Sequence, residues 1–293
     1  MKKIIGIISL FSQLTVWSQS ATSYQYLFNP LPINPAFTGY MDVLTASVQT
    51  RFQSLGLEGA PQSQSLVIHA PAPDLNAAFG LQFWNLTQGI DKQTGVYASY
   101  AYSVRSGDLK IAAGIRGGVD FQSADFSGLL TRQGNDPAFS QSAQIITPNV
   151  GVGIAVTSER LMASVSIPTM ITSDLLSLSQ RQYLLQGAYR FQLHSQITLQ
   201  PSIFCRLSGE GLEEMIIGSS VDLLQVAGLG LFYNLNKQLA SIIYLNLSDQ
   251  FRLAYSGELP LSADQVSRFG SHEIGLHYLF RLTKRQSISP RYF

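Results

Sequence analysis

The stretch Thr94–Arg105, TGVYASYAYSVR, carries Val96, Ala98, Tyr100, Tyr102 and Val104 on alternate positions, with Gly95, Tyr97, Ser99, Ala101, Ser103 and Arg105 between them. Side chains of an extended strand point to opposite faces in turn, so a period of two sorts these residues into an apolar wall and a small or polar one. The same rhythm returns in Gln196–Leu207. Ile197, Leu199, Pro201, Ile203, Cys205 and Leu207 oppose Gln196, Thr198, Gln200, Ser202 and Arg206, with Phe204 the single break. Near the end, Ile274, Leu276, Tyr278, Phe280 and Leu282 face away from Glu273, Gly275, His277 and Arg281.

Outward from these anchors the pattern gives about fourteen segments of roughly the 9–11 residues that cross a bilayer when tilted. They fall at 43–52, 64–70, 77–86, 93–105, 108–121, 148–158, 160–168, 181–192, 195–206, 214–222, 225–235, 239–248, 251–257 and 270–282, the second and thirteenth being short. Longer connections (53–63, 87–92, 122–147, 169–180, 207–213, 258–269) alternate with tight turns at Ser106-Gly107, Ser158-Glu159, Leu193-His194 and Ser248-Asp249. Outer-membrane barrels show this rhythm, long loops outside and short turns inside, with an even strand number. Aromatic residues near strand ends (Phe83, Trp84, Tyr183, Tyr189, Phe191, Tyr233, Tyr244, Tyr278) suit interfacial girdles. The expected fold is therefore all-β, a transmembrane antiparallel β-barrel of about 14 strands over residues 43–282. A large secreted β-sandwich or propeller is the alternative that alternation alone leaves open.

Composition points the same way. Of 293 residues, 45% are hydrophobic but only 13% are charged, against about 25% in soluble domains. Ser, Thr, Gln and Asn fill the polar face instead. A net charge of +1 gives no reason to expect a nucleic-acid partner. Cys205 is the only cysteine, so no internal disulfide forms. Lys2, Lys3, the largely apolar run Ile4–Trp17 and the small residues Ser18 and Ser20 have the layout of a signal peptide over residues 1–18.

Residues 19–42 read differently. Asn29-Pro30 and Asn34-Pro35 punctuate an aromatic-rich segment, and proline disfavours helix at the residue before it. An irregular, extended piece exposing Tyr26, Leu27, Phe28, Ile33 and Phe37 would be a liability. The expectation is that it packs as a plug in the lumen or across the periplasmic mouth; a plain leader into the first strand is the alternative. Tyr26, Phe28, Asn29, Pro30, Asn34, Pro35 and Phe37 are its candidate contact residues. At the other end, 283–293 with Lys284, Arg285 and Arg291 reads as a basic tail.

Chemistry is sparse. His272-Glu273 and His277 are spaced one residue longer than the helical zinc motif, and on a strand the two histidines point to opposite faces. There is no G-x-S-x-G elbow and no phosphate loop. No catalytic residue, metal or cofactor is expected, and the chain is read as a non-enzyme. Gly59-Ala60-Pro61 makes a turn between Arg51 and His69, and Asp136-Pro137-Ala138-Phe139 sits in the longest loop.

Two stretches go beyond architecture: QYLFNPLPINPAFTG (25–39) and RFQSLGLEGAPQSQ (51–64), the latter leading to His69 and Pro71. With LTQGIDKQTGVYASYAY (86–102), GGVDFQSADF (117–126), NDPAF (135–139), TPNVGVGI (147–154), LQPS (199–202), GSHEIGLHYLF (270–280) and the terminal SPRYF, they follow the order of one family. The chain resembles the PorP/SprF outer-membrane proteins of the type IX secretion system. It departs at Ser54, where the family commonly has tryptophan in an R-x-Q-W-x-G arrangement.

The resemblance implies a barrel of the fatty-acid-transporter type in the bacterial outer membrane. It implies support for secretion and surface attachment of cargo with a C-terminal sorting domain, gliding adhesins among them. Partners would be that cargo, other type IX components, periplasmic ring or peptidoglycan-binding proteins, and outer-membrane lipids. A passive porin or lipophile channel is the alternative function. The topology places three loop regions on the outer side, giving Arg51, Gln53, Gly59, Ala60, Pro61, Asp136, Pro137, Phe139, Ser271 and His272 as candidate cargo-docking residues.

Overall fold

A computed structural model describes residues 22–124, 143–171, 181–261 and 270–280. Fourteen antiparallel strands close into one barrel. We number them β1 (Leu44–Phe52), β2 (Gln62–Ala72), β3 (Ala77–Gln88), β4 (Asp91–Ser106), β5 (Leu109–Ala124), β6 (Ala143–Thr157) and β7 (Leu161–Ile167). Then come β8 in two pieces (Tyr183–Tyr189 and Phe191–His194), β9 (Ile197–Ser208), β10 (Gly211–Leu223), β11 (Ala227–Asn234), β12 (Gln238–Asn246), β13 (Phe251–Pro260) and β14 (Ser271–Phe280). Each strand pairs with the next, and β1 pairs with β14 from Leu44 opposite Phe280 to Phe52 opposite His272. That last ladder removes both sheet edges, which hydrocarbon, having no water to bind them, would penalise heavily.

The period of two becomes inside and outside. On β4, Val96, Tyr100, Tyr102 and Val104 are exposed on the outer wall, while Tyr97, Ser99 and Ala101 are buried within. Leu81 is 61% and Leu231 60% exposed, so the outer wall is apolar where a soluble protein would carry charge. The inner wall carries Gln49, Gln82, Ser99, Gln186, Gln200, Ser202 and Ser220.

Several strand lengths differ from the expected ones. β2 and β13 are longer than 64–70 and 251–257, because ladder bonds continue through polar residues such as Gln62 and Ser63 that apolar alternation does not register. β5 and β6 extend to Ala124 and from Ala143, shrinking the expected 122–147 loop. The connections at 89–90 and 209–210 are tight, flanked by Gly89 and Gly211 at positive φ, so the alternation of long and short connections is looser than expected. β7 and the first piece of β8 are the short strands instead. After Ile167 comes Pro168, which has no N–H for the ladder, and its carbonyl accepts a bond from the inward Arg116. Tyr244, expected in a lipid-facing girdle, is buried inside, since it shares the parity of the buried Ala240 and Ile242.

Arginine at position 81, mid-strand on the lipid face, is expected to cost about 2–4 kcal/mol of folding stability in a bilayer. Urea unfolding of Leu81→Arg in lipid vesicles measures it; an unchanged midpoint would place this face against something other than hydrocarbon.

Candidate functional site

Residues 22–43 run through the barrel. Tyr24, Tyr26, Leu27, Leu31, Ala36 and Phe37 are buried there with wall residues that are themselves apolar: Met162, Leu184, Phe204, Ile216, Phe232 and Ile242. Each large side chain so removed from water contributes roughly 1.5–3 kcal/mol. The Tyr26 ring lies 5.5 Å from Phe204, and its hydroxyl meets Ser202 Oγ at 3.0 Å. Phe204, the break in the polar face of β9, is thus the seat of an aromatic residue far away in sequence.

Polar groups fix the path. Asn34 Nδ2 donates to the carbonyls of Ile154 on β6 and Val165 on β7, each at 3.1 Å. Its Oδ1 accepts from the Ala36 N–H at 2.9 Å, capping a short 3-10 turn at Pro35–Phe37. Asn29 Nδ2 donates to Gln49 Oε1 at 3.0 Å. Pro30 offers its carbonyl to the N–H groups of Ile33 and Asn34. Pro32 accepts a bond from Arg116 Nη1 at 3.0 Å. Gly39 turns the chain toward β1 at φ +67, and its N–H donates to His69 Nδ1 at 3.1 Å. So His69 is a hydrogen-bonded strand residue, not a ligand. Inner-wall glycines leave the room needed: a Cβ on Gly114 would collide with Pro35 and Ala36, on Gly153 with Asn34, and on Gly275 with Gln25.

The segment starts at the end carrying the 53–61 and 261–270 connections, among buried charges. Arg51 Nη2 donates to Glu258 at 2.9 Å and Nη1 to Glu273 at 3.4 Å. Arg206 pairs with Glu214 at 3.2 Å. Ser23 Oγ donates to Glu273, and Thr22 is hydrogen-bonded to both Glu214 and Arg206. The segment leaves at the opposite end, where Asp42 pairs with Arg105 and Lys110.

The docking candidates divide. Gln53 N–H donates to the Pro61 carbonyl, Leu55 N–H to the Gly270 carbonyl and Gly89 N–H to the Gly59 carbonyl, so loop 53–61 rests on its neighbours. Gly59, at φ +71, and Ala60 turn that loop back toward β2. Ser271 Oγ accepts from the Ser54 N–H and donates to Glu258. The loop residues form one rim. Arg51, 6% exposed, and Ser271, 7% exposed, face the lumen instead and do not share that surface. His272 is on the outer wall, its Nδ1 2.6 Å from the Tyr255 hydroxyl. Asp136, Pro137 and Phe139 lie outside the described residues, although Ala124 and Ala143, the strand ends on either side, are at the same end of the barrel. Sequence reasoning missed Glu258, Glu273 and Arg116 as partners of the segment. Charged residues at inward-parity positions of otherwise uncharged strands were the available signal. No group of three metal-ligating side chains occurs among the described residues.

Closed ladder, apolar exterior and occupied polar interior define an outer-membrane β-barrel. The chain belongs to the family described as type IX secretion system membrane protein PorP/SprF, whose model matches residues 16–278. It is thus a secretion-related outer-membrane barrel. No curated protein matches it. Among solved structures it is similar to the toluene transporter TbuX of Ralstonia pickettii (TM-score 0.52, 11% identity, 86% of this chain and 93% of that one). It is also similar to Omp33 of Acinetobacter baumannii (TM-score 0.48, 7% identity, 81% and 98%).

Two substitutions probe the interior. Arg51→Met leaves Glu258 and Glu273 without their shared cation and should cost about 3–5 kcal/mol. Gly153→Val drives a side chain into Asn34 and should cost about 1–3 kcal/mol. Both are read from denaturant midpoints of the folded barrel, and a midpoint unchanged in Gly153→Val would show that Asn34 does not sit against β6.

Proposed function

We propose that this chain is a non-enzymatic component of the type IX secretion system. In this reading it is exported by the signal peptide at 1–18 and supports secretion and surface attachment of cargo bearing a C-terminal sorting domain, gliding adhesins being one such cargo. The observation that carries the reading, beyond family membership, is the occupied lumen. A barrel whose core is filled from Thr22 to Gly39 by buried aromatic and hydrogen-bonded residues acts by its surfaces rather than by passage through it. Orientation follows outer-membrane practice, with short turns in the periplasm. The rim of Gln53, Gly59, Ala60 and Pro61, with Ser271 buried beneath it and His272 beside it, then faces outward as the cargo-docking surface, for which Asp136, Pro137 and Phe139 are the further candidates. The opposite mouth faces the periplasmic ring or peptidoglycan-binding partners.

A passive porin or lipophile channel is the second reading, favoured by the polar inner wall at Gln82, Gln200 and Ser202. Single-channel recording separates the two. The plugged barrel should be silent, and a variant lacking residues 24–39 should conduct steadily; steady conductance in the intact protein would favour the channel. Replacing residues 59–61 by a neutral linker should release cargo from the cell surface while the barrel still assembles. Retention of cargo would remove the docking role of this loop.

A further inference from the structure

The short-turn mouth holds an arginine, Arg252, with no carboxylate in ion-pair contact; Asp222, which acts on it electrostatically, instead accepts the Tyr244 hydroxyl at 3.3 Å. A shallow, open pocket is lined there by Phe28 and Met41 of the lumen segment and by Asn246, Phe251, Arg252 and Leu279 of the wall. The Arg252 guanidinium carbon lies 4.5 Å from the centre of the Phe28 ring and 5.0 Å from that of Tyr244. Its Nε donates to Asn246 Oδ1 at 2.7 Å. Among the described residues Nη1 and Nη2 meet no hydrogen-bond acceptor, and no carboxylate stands within ion-pair distance.

Three inward arginines elsewhere are answered differently. Arg51 has two glutamates, Arg206 has Glu214, and Arg116 has two carbonyls and Gln82. Aromatic faces attract a cation only modestly, less than a carboxylate in direct contact would. A guanidinium with its Nη edge free offers the parallel donors that a planar oxyanion accepts in bidentate fashion. Phe28, Met41, Phe251 and Leu279 give the pocket its apolar wall, beside polar residues such as Ser248 and His277. Asp249, also on the pocket wall, disfavours a ligand with several negative charges.

We propose that this pocket binds a single carboxylate carried on a short apolar stem, with Arg252 as its bidentate partner. The stem packs against Phe28 and Met41, so occupancy also clamps the lumen segment at this end. The proposal rests on the geometry of Arg252 and stands or falls independently of the secretion role.

The test uses the full-length mature protein in detergent micelles. Saturation-transfer NMR is recorded with sodium butyrate, with an N-acetylated alanine dipeptide bearing a free C-terminal carboxylate, and with the same dipeptide amidated. Saturable transfer to butyrate or to the free-acid dipeptide is expected, together with a rise in thermal midpoint over sodium chloride at equal ionic strength. Binding of butyrate alone would identify a free acid as the source, and binding of the dipeptide acid would identify the C-terminus of a polypeptide. Arg252→Gln should weaken either at least about tenfold, the loss expected for a charge-assisted pair. Because that variant could fail to assemble, Asn246→Leu, which frees the guanidinium from its anchor, serves as the second and should also weaken binding. No transfer to either acid in the wild-type protein, or equal binding of the amidated dipeptide, would overturn the proposal.

Discussion

A β-sheet in hydrocarbon cannot leave an edge open, because nothing around it can hydrogen-bond the exposed N–H and C=O groups. The pairing of β1 with β14 meets that demand, and the rest of the structure depends on it. Closure makes an inside and an outside, and it fixes which parity of every strand faces lipid. It also creates an enclosed space about a polar wall, which must be filled by water, by side chains or by another piece of chain.

Here residues 22–39 pack against that wall. The packing is specific rather than merely apolar. Glycines on β5, β6 and β14 remove side chains where Pro35, Asn34 and Gln25 approach, and apolar residues at inward positions receive Tyr24, Tyr26 and Phe37. Buried ion pairs hold the start of the segment and surface ones its exit. A buried pair contributes little net stability against a hydrophobic replacement, but losing one partner is costly. The Arg51, Glu258 and Glu273 group joins β1, β13 and β14, and Ser23 ties the start of the segment to it through Glu273.

The same logic separates the inward arginines. Arg51, Arg206 and Arg116 each have a carboxylate or carbonyl partner from within the chain. Arg252 is instead held by aromatic rings and a single amide, facing a pocket. That contrast arises from where the lumen segment passes, since Phe28 supplies one of the two rings and a wall of the pocket.

Much of this was legible in the sequence. Period-two alternation in Thr94–Arg105 and Gln196–Leu207 determined which faces meet lipid, because a strand offers only two directions. The prolines and aromatics of residues 25–39 determined that this stretch is irregular and must be covered. Tertiary structure alone decided where. Tyr244 reads as a girdle residue until parity along β12 turns it inward. Phe204 reads as an error in a polar face until Tyr26 arrives beside it. The partners of Arg51 lie on strands at the far end of the chain, and no local pattern ties them together. Strand ends were also hidden, since ladder bonds run on through Gln62 and Ser63 without any apolar signal. Local periodicity reports what each side chain faces; only closure of the sheet brings distant residues to the same face, and so only the folded barrel could say which of them meet.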